Sequence, residues 1–362
     1  MIRPLVIAVV ACLLLDPEPV SSNQPVSSVT LQVQPGSQQI LSMDTPVAAI
    51  AVSPDGTTVV ACSEASVVLV PIGDPEHATT VPCRLKRVFA AEYRNDGKVL
   101  LLAGGSVGTS AAVELFDTPI TAPLSSDARL VSLAESCSAE DVVTDAAWSV
   151  DGRQLAIVTH DGHTVWLEFA DPELGAHATI SRSETVLGHS KGLTAVLTFQ
   201  QEGREQLLTS SLDQTLRVWS PEQFADANGR PIPRRTLHQH TNAVLELAGR
   251  PASSPESRFE VASVSEDHTV RLWQPATGRM MRFCRLTVTP TCVVWLADGS
   301  AIVAGDEHGM LTLIDPVTAQ IIDQIQATDD WVNCLAAVPG TSLVVAVSSN
   351  GQLTLTDFQT RR

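Results

Sequence analysis

LLTSSLDQTLRVW, Leu207 to Trp219, is restated one period later as VASVSEDHTVRLW, Val261 to Trp273. Both copies place Ser, one residue, Asp, one residue, Thr, three further residues and Trp. A histidine precedes each in a matching place, His189 in LGHSKGL and His240 in LHQHTNAV. LTSS and VASV are short apolar runs, SLDQ and SEDH are turn-forming polar clusters, and TLRVW and TVRLW alternate with period two. That order predicts a strand, a tight turn and a second strand, with Trp219 or Trp273 buried near its end. A self-similar unit of roughly 40–50 residues marks a propeller or a solenoid.

The pattern resembles the WD40 repeat, with its GH-type dipeptide, Ser-x-Asp turn and closing Trp. The resemblance implies a hydrogen-bonded chain of His, Ser, Asp and Trp within a blade. Carried over, this is His189, Ser211, Asp213 and Trp219, then His240, Ser265, Asp267 and Trp273. Three positions depart from the family: Ser220 and Gln274 follow the tryptophans where Asp is usual, and Gln239 replaces the glycine before His240.

With these copies as a ruler, weaker units appear on both sides. Val47–Val70, Val88–Asp117 and Val143–Phe169 precede them, and Val293–Asp315 and Val332–Asp357 follow. Their closing positions, Val70, Phe116, Phe169, Trp219, Trp273, Ile314 and Thr356, stand roughly 40 to 55 residues apart. The expected fold is all-β: one seven-bladed propeller of four-stranded antiparallel blades over residues 27–358, with a tail at 359–362. The chain stops after the third strand of the last unit, so its missing outer strand must come from the start. Gln38–Met43, with Val29–Val33 as the alternative, is expected to pair with Leu353–Asp357 and close the ring.

Composition narrows the function. Apolar residues make up 44% and charged residues 17%, which fits a chain with a sizeable core. A net charge of −17 with only three lysines, Lys86, Lys98 and Lys191, argues against nucleic acid as a partner. MIRPLVIAVVACLLL (residues 1–15) has one Arg and an apolar run too short to span a bilayer, and reads as a signal peptide over residues 1–22. VVAC also resembles a lipobox, with Cys12 as a possible lipid anchor. Export to the periplasm, cell surface or medium is the expectation, and no transmembrane helix is read. Six cysteines would remain, of which Cys62, Cys292 and Cys334 sit in apolar strand patterns and are expected as buried thiols. No CxxC pair is present. The glycine-rich LLLAGGSVGTSAAVELFD resembles a blade of exported bacterial WD40 proteins that accompany c-type cytochromes.

Ser, His and Asp within one unit invite a serine-hydrolase reading. The same trio recurs in two successive repeats, which a single active site does not need, so no catalytic residue and no cofactor are assigned. His160, Asp161 and His163 form the densest set of metal-ligand types, but no protein ligand from beyond the turn is in view; a solvated Asp-Gly turn is the plainer reading, and Asp306-Glu307-His308 is a weaker version. Two function classes stay open: a non-catalytic platform that binds a protein, and a ligand or metal binder, or an enzyme, using the central channel. The resemblance implies docking on the rim of loops entering each first strand and of second-to-third strand turns. That rim would hold Glu266, Asp306, Glu307, Asp329, Asp330 and Trp331, with Arg87 from the second unit, and the expected partner is a protein with a basic surface.

Overall fold

In a computed structural model of the chain the described residues are 33–34, 37–43, 45–63, 66–106, 110–118, 129–132, 142–171, 179–251 and 258–358. Residues 1–32 with the leader and Cys12, together with Cys137 and the tail 359–362, lie outside them.

Seven antiparallel sheets follow one another along the chain. Blade 1 is Val47–Val52, Thr58–Ser63, Ser66–Pro71 and Thr79–Pro82, and blade 2 is Val88–Tyr93, Val99–Ser106, Ser110–Asp117 and Arg129–Ser132. Blade 3 is Val143–Trp148, Gln154–Thr159, His163–Phe169 and Ile180–Leu187. Blade 4 is Leu193–Gln201, Arg204–Ser211, Leu216–Trp219 and Arg235–Leu237. Blade 5 runs through Val244–Gly249, Val261–Ser265, Thr269–Gln274 and Arg279–Arg285, and blade 6 through Pro290–Trp295, Ile302–Asp306, Met310–Ile314 and Ile321–Gln326. Blade 7 is Val332–Ala337, Leu343–Ser348 and Gln352–Asp357. The only helix among the described residues is the 3-10 turn Pro75–His77.

Local chemistry sets each hairpin. The turn after the first strand repeats as Ser53-Pro54-Asp55-Gly56 and Ser149-Val150-Asp151-Gly152. In the latter, Ser149 Oγ accepts the Gln154 N–H at 2.9 Å, Asp151 Oδ1 accepts the Arg153 N–H at 3.0 Å, and Gly152 takes a φ of +68°. That left-handed φ is what the glycine supplies. Second strands are buried on both faces, as in Gln154–Thr159 and Val261–Ser265, which is why they read as continuous apolar runs.

The core is divided among the blade interfaces. One apolar cluster fills each of the seven, from Ala90 to Phe169 between blades 2 and 3, to Ile40, Val47, Val345 and Leu353 where blade 7 meets blade 1. The first strands lie beside one another in a ring, and Val332–Ala337 returns to touch Val47–Val52.

Closure takes the expected route. Ser37–Ser42 pairs antiparallel with Gln352–Asp357, Ser37 opposite Thr356 and Ser42 opposite Gln352. Met43 N–H adds a bond to Gly351 O at 2.9 Å. Val33–Gln34 then pairs with Ser37–Gln38 as a fifth strand outside the fourth. One expected boundary shifts. The residue of blade 3 that pairs as Trp219 pairs with Leu207 is Leu167, opposite Leu155, and not Phe169. The third strand of that blade runs on past the closing position, and Phe169 packs on Trp148 with ring centroids 5.6 Å apart.

Candidate functional site

In blade 4, Trp219 Nε1–H donates to Thr209 Oγ1 at 2.9 Å, Thr209 Oγ1 meets His189 Nε2 at 2.9 Å, and His189 Nδ1 meets Asp213 Oδ2 at 3.0 Å. In blade 5 the chain runs through Trp273, Ser263, His240 and Asp267, at 2.8, 2.7 and 2.8 Å. Because the ionised carboxylate can only accept, Nδ1 carries the proton, and in the neutral ring Nε2 then accepts from the hydroxyl, whose oxygen takes the indole N–H. One neutral tautomer satisfies every group. Burial pulls both imidazole pKa values down, and the hydrogen bond and charge of the partner Asp oppose this only in part. Burial pushes Asp213 and Asp267 up, but the His bond and the Thr215 or Thr269 hydroxyl outweigh it, leaving both well below the carboxylate range.

The bridging hydroxyl therefore belongs to Thr209 and Ser263, and not to Ser211 and Ser265. The register gives the reason. Trp219 pairs with Leu207, so its indole, leaning along the strand, reaches the next residue on that face, Thr209. Ser211 lies about 6.6 Å further on. It caps the turn, accepting the Asp213 N–H at 3.0 Å and donating to Gly192 O at 2.9 Å; Ser265 does the same with Asp267 N–H and Asn242 O. Thr159 and Ser348 hold the equivalent capping place in blades without the histidine. Two residues earlier those blades carry Ile157 and Ala346, so a hydroxyl there was the available signal. Gly188 is required by the same packing, since a Cβ on it would stand 2.2 Å from Trp219 Cη2.

The rim residues lie at one end of the ring, where each entering loop sits on the second turn of its own blade. Ser349 N–H bonds Trp331 O at 2.9 Å, Glu266 N–H bonds Ala243 O at 3.0 Å, and Gly105 N–H bonds Arg87 O at 3.1 Å. Trp331, Glu266, Glu307, Asp330 and Arg87 are half-buried, and Asp329 is exposed with its carboxylate on Gln352 Nε2 at 2.9 Å. Asp306 does not join them. It is 6% exposed and its Oδ1 accepts the His308 and Met310 N–H groups at 2.8 and 3.0 Å, because it occupies the turn-capping place of Ser211. His163 Nδ1 lies 2.8 Å from Asp161, and the backbone N–H of His160 bonds Val142 O at 3.0 Å. Among the described residues no three His, Cys, Asp or Glu side chains converge as a metal site.

The ring also holds carboxylates that sequence reading passed over. Each first strand has one edge outside its own sheet. Glu92 accepts the Trp148 N–H of the next blade at 2.7 Å, Asp145 the Val196 N–H at 2.8 Å, and Glu246 the Val293 N–H at 2.8 Å. Thr194, Thr291 and Asn333 link the same way, donating to Val244 O, Val332 O and Val47 O. Burial raises Glu92 and Glu246 to about 8 and Asp145 to about 7; the bound N–H groups resist this, and the Asp145 charge adds to the shift of both glutamates. A lone acid in an apolar first strand, as in FAAEY, VTDAA and VLELA, was the visible sign. Cys62, Cys83, Cys284, Cys292 and Cys334 are free thiols, and burial drives Cys62, Cys292 and Cys334 well above the usual thiol range.

The family described as "WD domain, G-beta repeat" matches residues 181–220 and 232–274, each stretch taking the outer strand of one blade, the loop after it and the first three strands of the next, blade 4 or blade 5. The chain is 24% identical over 294 residues to Telomerase protein component 1 of Mus musculus, across 77% of this chain and 10% of that protein. It is 26% identical over 212 residues to WD repeat-containing protein 81 of Danio rerio, covering 54% and 10%. It is 31% identical over 139 residues to human Coronin-7, covering 38% and 13%. The chain thus spans about a tenth of these relatives. Two of the seven blades thus carry the matched WD40 repeat, the packing of blade on blade recurs around the whole ring, and the chain folds as a seven-bladed β-propeller.

Proposed function

We propose that this propeller is a non-catalytic scaffold whose rim binds a protein with a basic surface. The observation that carries the reading is the rim itself: Trp331, half-buried, follows Asp329 and Asp330 on the entering loop of blade 7, and the second turns of blades 5 and 6 bring Glu266 and Glu307 to the same end of the ring. An amphipathic aromatic with an acidic surround is the composition of a hot spot with electrostatic steering. A channel enzyme is less well supported, since Glu92, Asp145 and Glu246 each have an oxygen committed to a neighbouring blade. The leader pattern and the resemblance of the glycine-rich stretch in blade 2 support a site of action outside the cytoplasm.

Affinity capture of the native protein with cross-link mapping tests the rim. Cross-links should concentrate on the loops of blades 5 to 7, and Trp331→Ala should cost about 2 kcal/mol in affinity with melting unchanged. A loss of about 3–5 kcal/mol in stability would instead make Trp331 a packing residue. Mass spectrometry tests export: an N-terminus near Asn23 or a lipidated Cys12 is expected, and an intact Met1 in a cytoplasmic fraction would refute it.

A further inference from the structure

The side wall of the ring carries a surface of opposite sign to the chain. The outer strand of blade 5, Arg279–Arg285, reads RMMRFCR, with Arg279, Arg282, Phe283 and Arg285 exposed. Phe283 is 49% exposed, with the Arg271 guanidinium 5.7 Å from its ring centroid. No salt bridge among the described residues includes Arg279, Arg282 or Arg285; Arg282 adds only a last, small contribution to Asp315 of the next blade, whose carboxyl is lowered first by the Thr318 hydroxyl. Exposed Arg234 and Arg235 extend the stripe on blade 4, and Arg235 Nε–H reaches Ala276 O at 3.0 Å. In a chain of net charge −17 this is a local reversal of sign.

The strand is also an open edge. It is the last strand of its sheet. Leu286 N–H bonds His268 O at 2.8 Å, and the register pairs Val270 with Cys284 and Arg271 with Phe283. The antiparallel alternation then turns the N–H and C=O groups of Phe283 and Arg285 outward. Other blades blunt this edge. Thr79–Pro82 ends in proline, Ile180–Leu187 has Arg182 paired with Glu168 and Glu184, and Ser37–Ser42 is covered by Val33–Gln34. Blade 5 leaves an aromatic ring in mid-strand instead.

We propose that this edge binds an acidic segment of another protein in extended form, which adds as a fifth strand beside Arg279–Arg285. Side chains alternate across a strand, so Phe283 and Arg285 share one face and Arg282 takes the other. The matching peptide has an apolar residue opposite Phe283, an acid next to it for Arg282, and a second acid two places away on the other side for Arg285. That order is Glu-x-apolar-Glu. Backbone pairing supplies affinity and the alternate side chains supply selectivity.

The probe is a fluorescein-labelled peptide centred on Glu-Thr-Val-Glu, with a Lys-Thr-Val-Lys control, titrated against the full chain by fluorescence anisotropy. The Glu peptide should bind saturably and weaken with salt, and the Lys peptide should not bind. Arg282→Glu with Arg285→Glu should weaken binding by about tenfold or more, and Phe283→Ser should weaken it as well, both with unchanged unfolding because these side chains are exposed. N-methylation of the edge-facing peptide amides should abolish it. Absence of binding by the Glu peptide, or equal binding by the N-methylated peptide or the charge-reversed variant, would overturn the proposal. Binding of phosphatidylserine vesicles in its place, lost in the same variant, would assign the arginines to a lipid surface.

Discussion

Thr209 and Ser263 each place one oxygen between an indole N–H and an imidazole nitrogen, in sites closed to solvent. Ser263→Ala therefore strands Trp273 Nε1–H and His240 Nε2 together. We expect a loss of about 1–3 kcal/mol in urea unfolding, against about 1 kcal/mol for Ser265→Ala, whose partners are backbone groups at the turn. Equal losses would mean that the tetrad does not rank above the cap. The same turns yield a second comparison. Gln214 and His268 take left-handed φ values of +74° and +63°, where blades 6 and 7 use Gly309 and Gly351. His268→Gly relieves that strain and should change stability by no more than about 1 kcal/mol. Gly309→Ala should be clearly destabilising, since its Cβ would lie 2.1 Å from Thr328 O. Thermal melts of the pair check both signs.

At the level of elements, two sets of groups set opposite pH limits. Asp213 and Asp267 have folded pKa values below their unfolded ones, so their stabilisation is present above the unfolded carboxylate pKa and is lost as pH falls through the folded value. His189 and His240 are likewise lowered, and the neutral tetrad is lost as acid protonates them. The first-strand acids act in reverse. Glu92 and Glu246, raised to about 8, and Asp145, raised to about 7, contribute stability that is complete below the unfolded pKa and lost as pH rises through 7 to 8. An amide keeps the acceptor oxygen for the next blade's N–H and drops the charge. The triple variant Glu92→Gln, Asp145→Asn, Glu246→Gln should melt higher than the parent at pH 9 and close to it at pH 5. A parallel pair of melting curves across that range would show that these acids do not couple the blades through their charge.

For the whole molecule, stability depends on a seam between residues more than three hundred positions apart. Ile40, Leu41 and Leu353 share one core with Val47 and Val345, and Thr356 Oγ1–H meets Ser37 Oγ at 3.1 Å. Deleting residues 1–43 removes the fourth strand of blade 7 and opens the Gln352–Asp357 edge. The truncated chain should aggregate or unfold without a single cooperative transition, measured by light scattering and by denaturant titration followed with two probes. Unchanged cooperative melting would show that the inner ring alone holds the circle.

The seven units were legible because their signals are local. Period-two alternation, Asp-Gly turns and a Trp at a constant distance from Ser-x-Asp all act within a dozen residues, where backbone geometry leaves few choices. The pairing of the Gln38–Met43 stretch with the strand at Leu353–Asp357 was legible too, as an apolar segment ahead of the first unit that could cover the edge of the last. Tertiary structure decided what lies across a pair of strands or a pair of blades. Thr209, and not Ser211, bridges His189 to Trp219 because the indole leans one step along the register. Asp306 caps its own turn and leaves the rim, although it stands in a row of acids. Glu92, Asp145 and Glu246 find their donors about fifty residues away, on a strand placed there only by the curvature of the ring. A side chain's partner across an interface is chosen by packing of the whole circle, and no local pattern carries it.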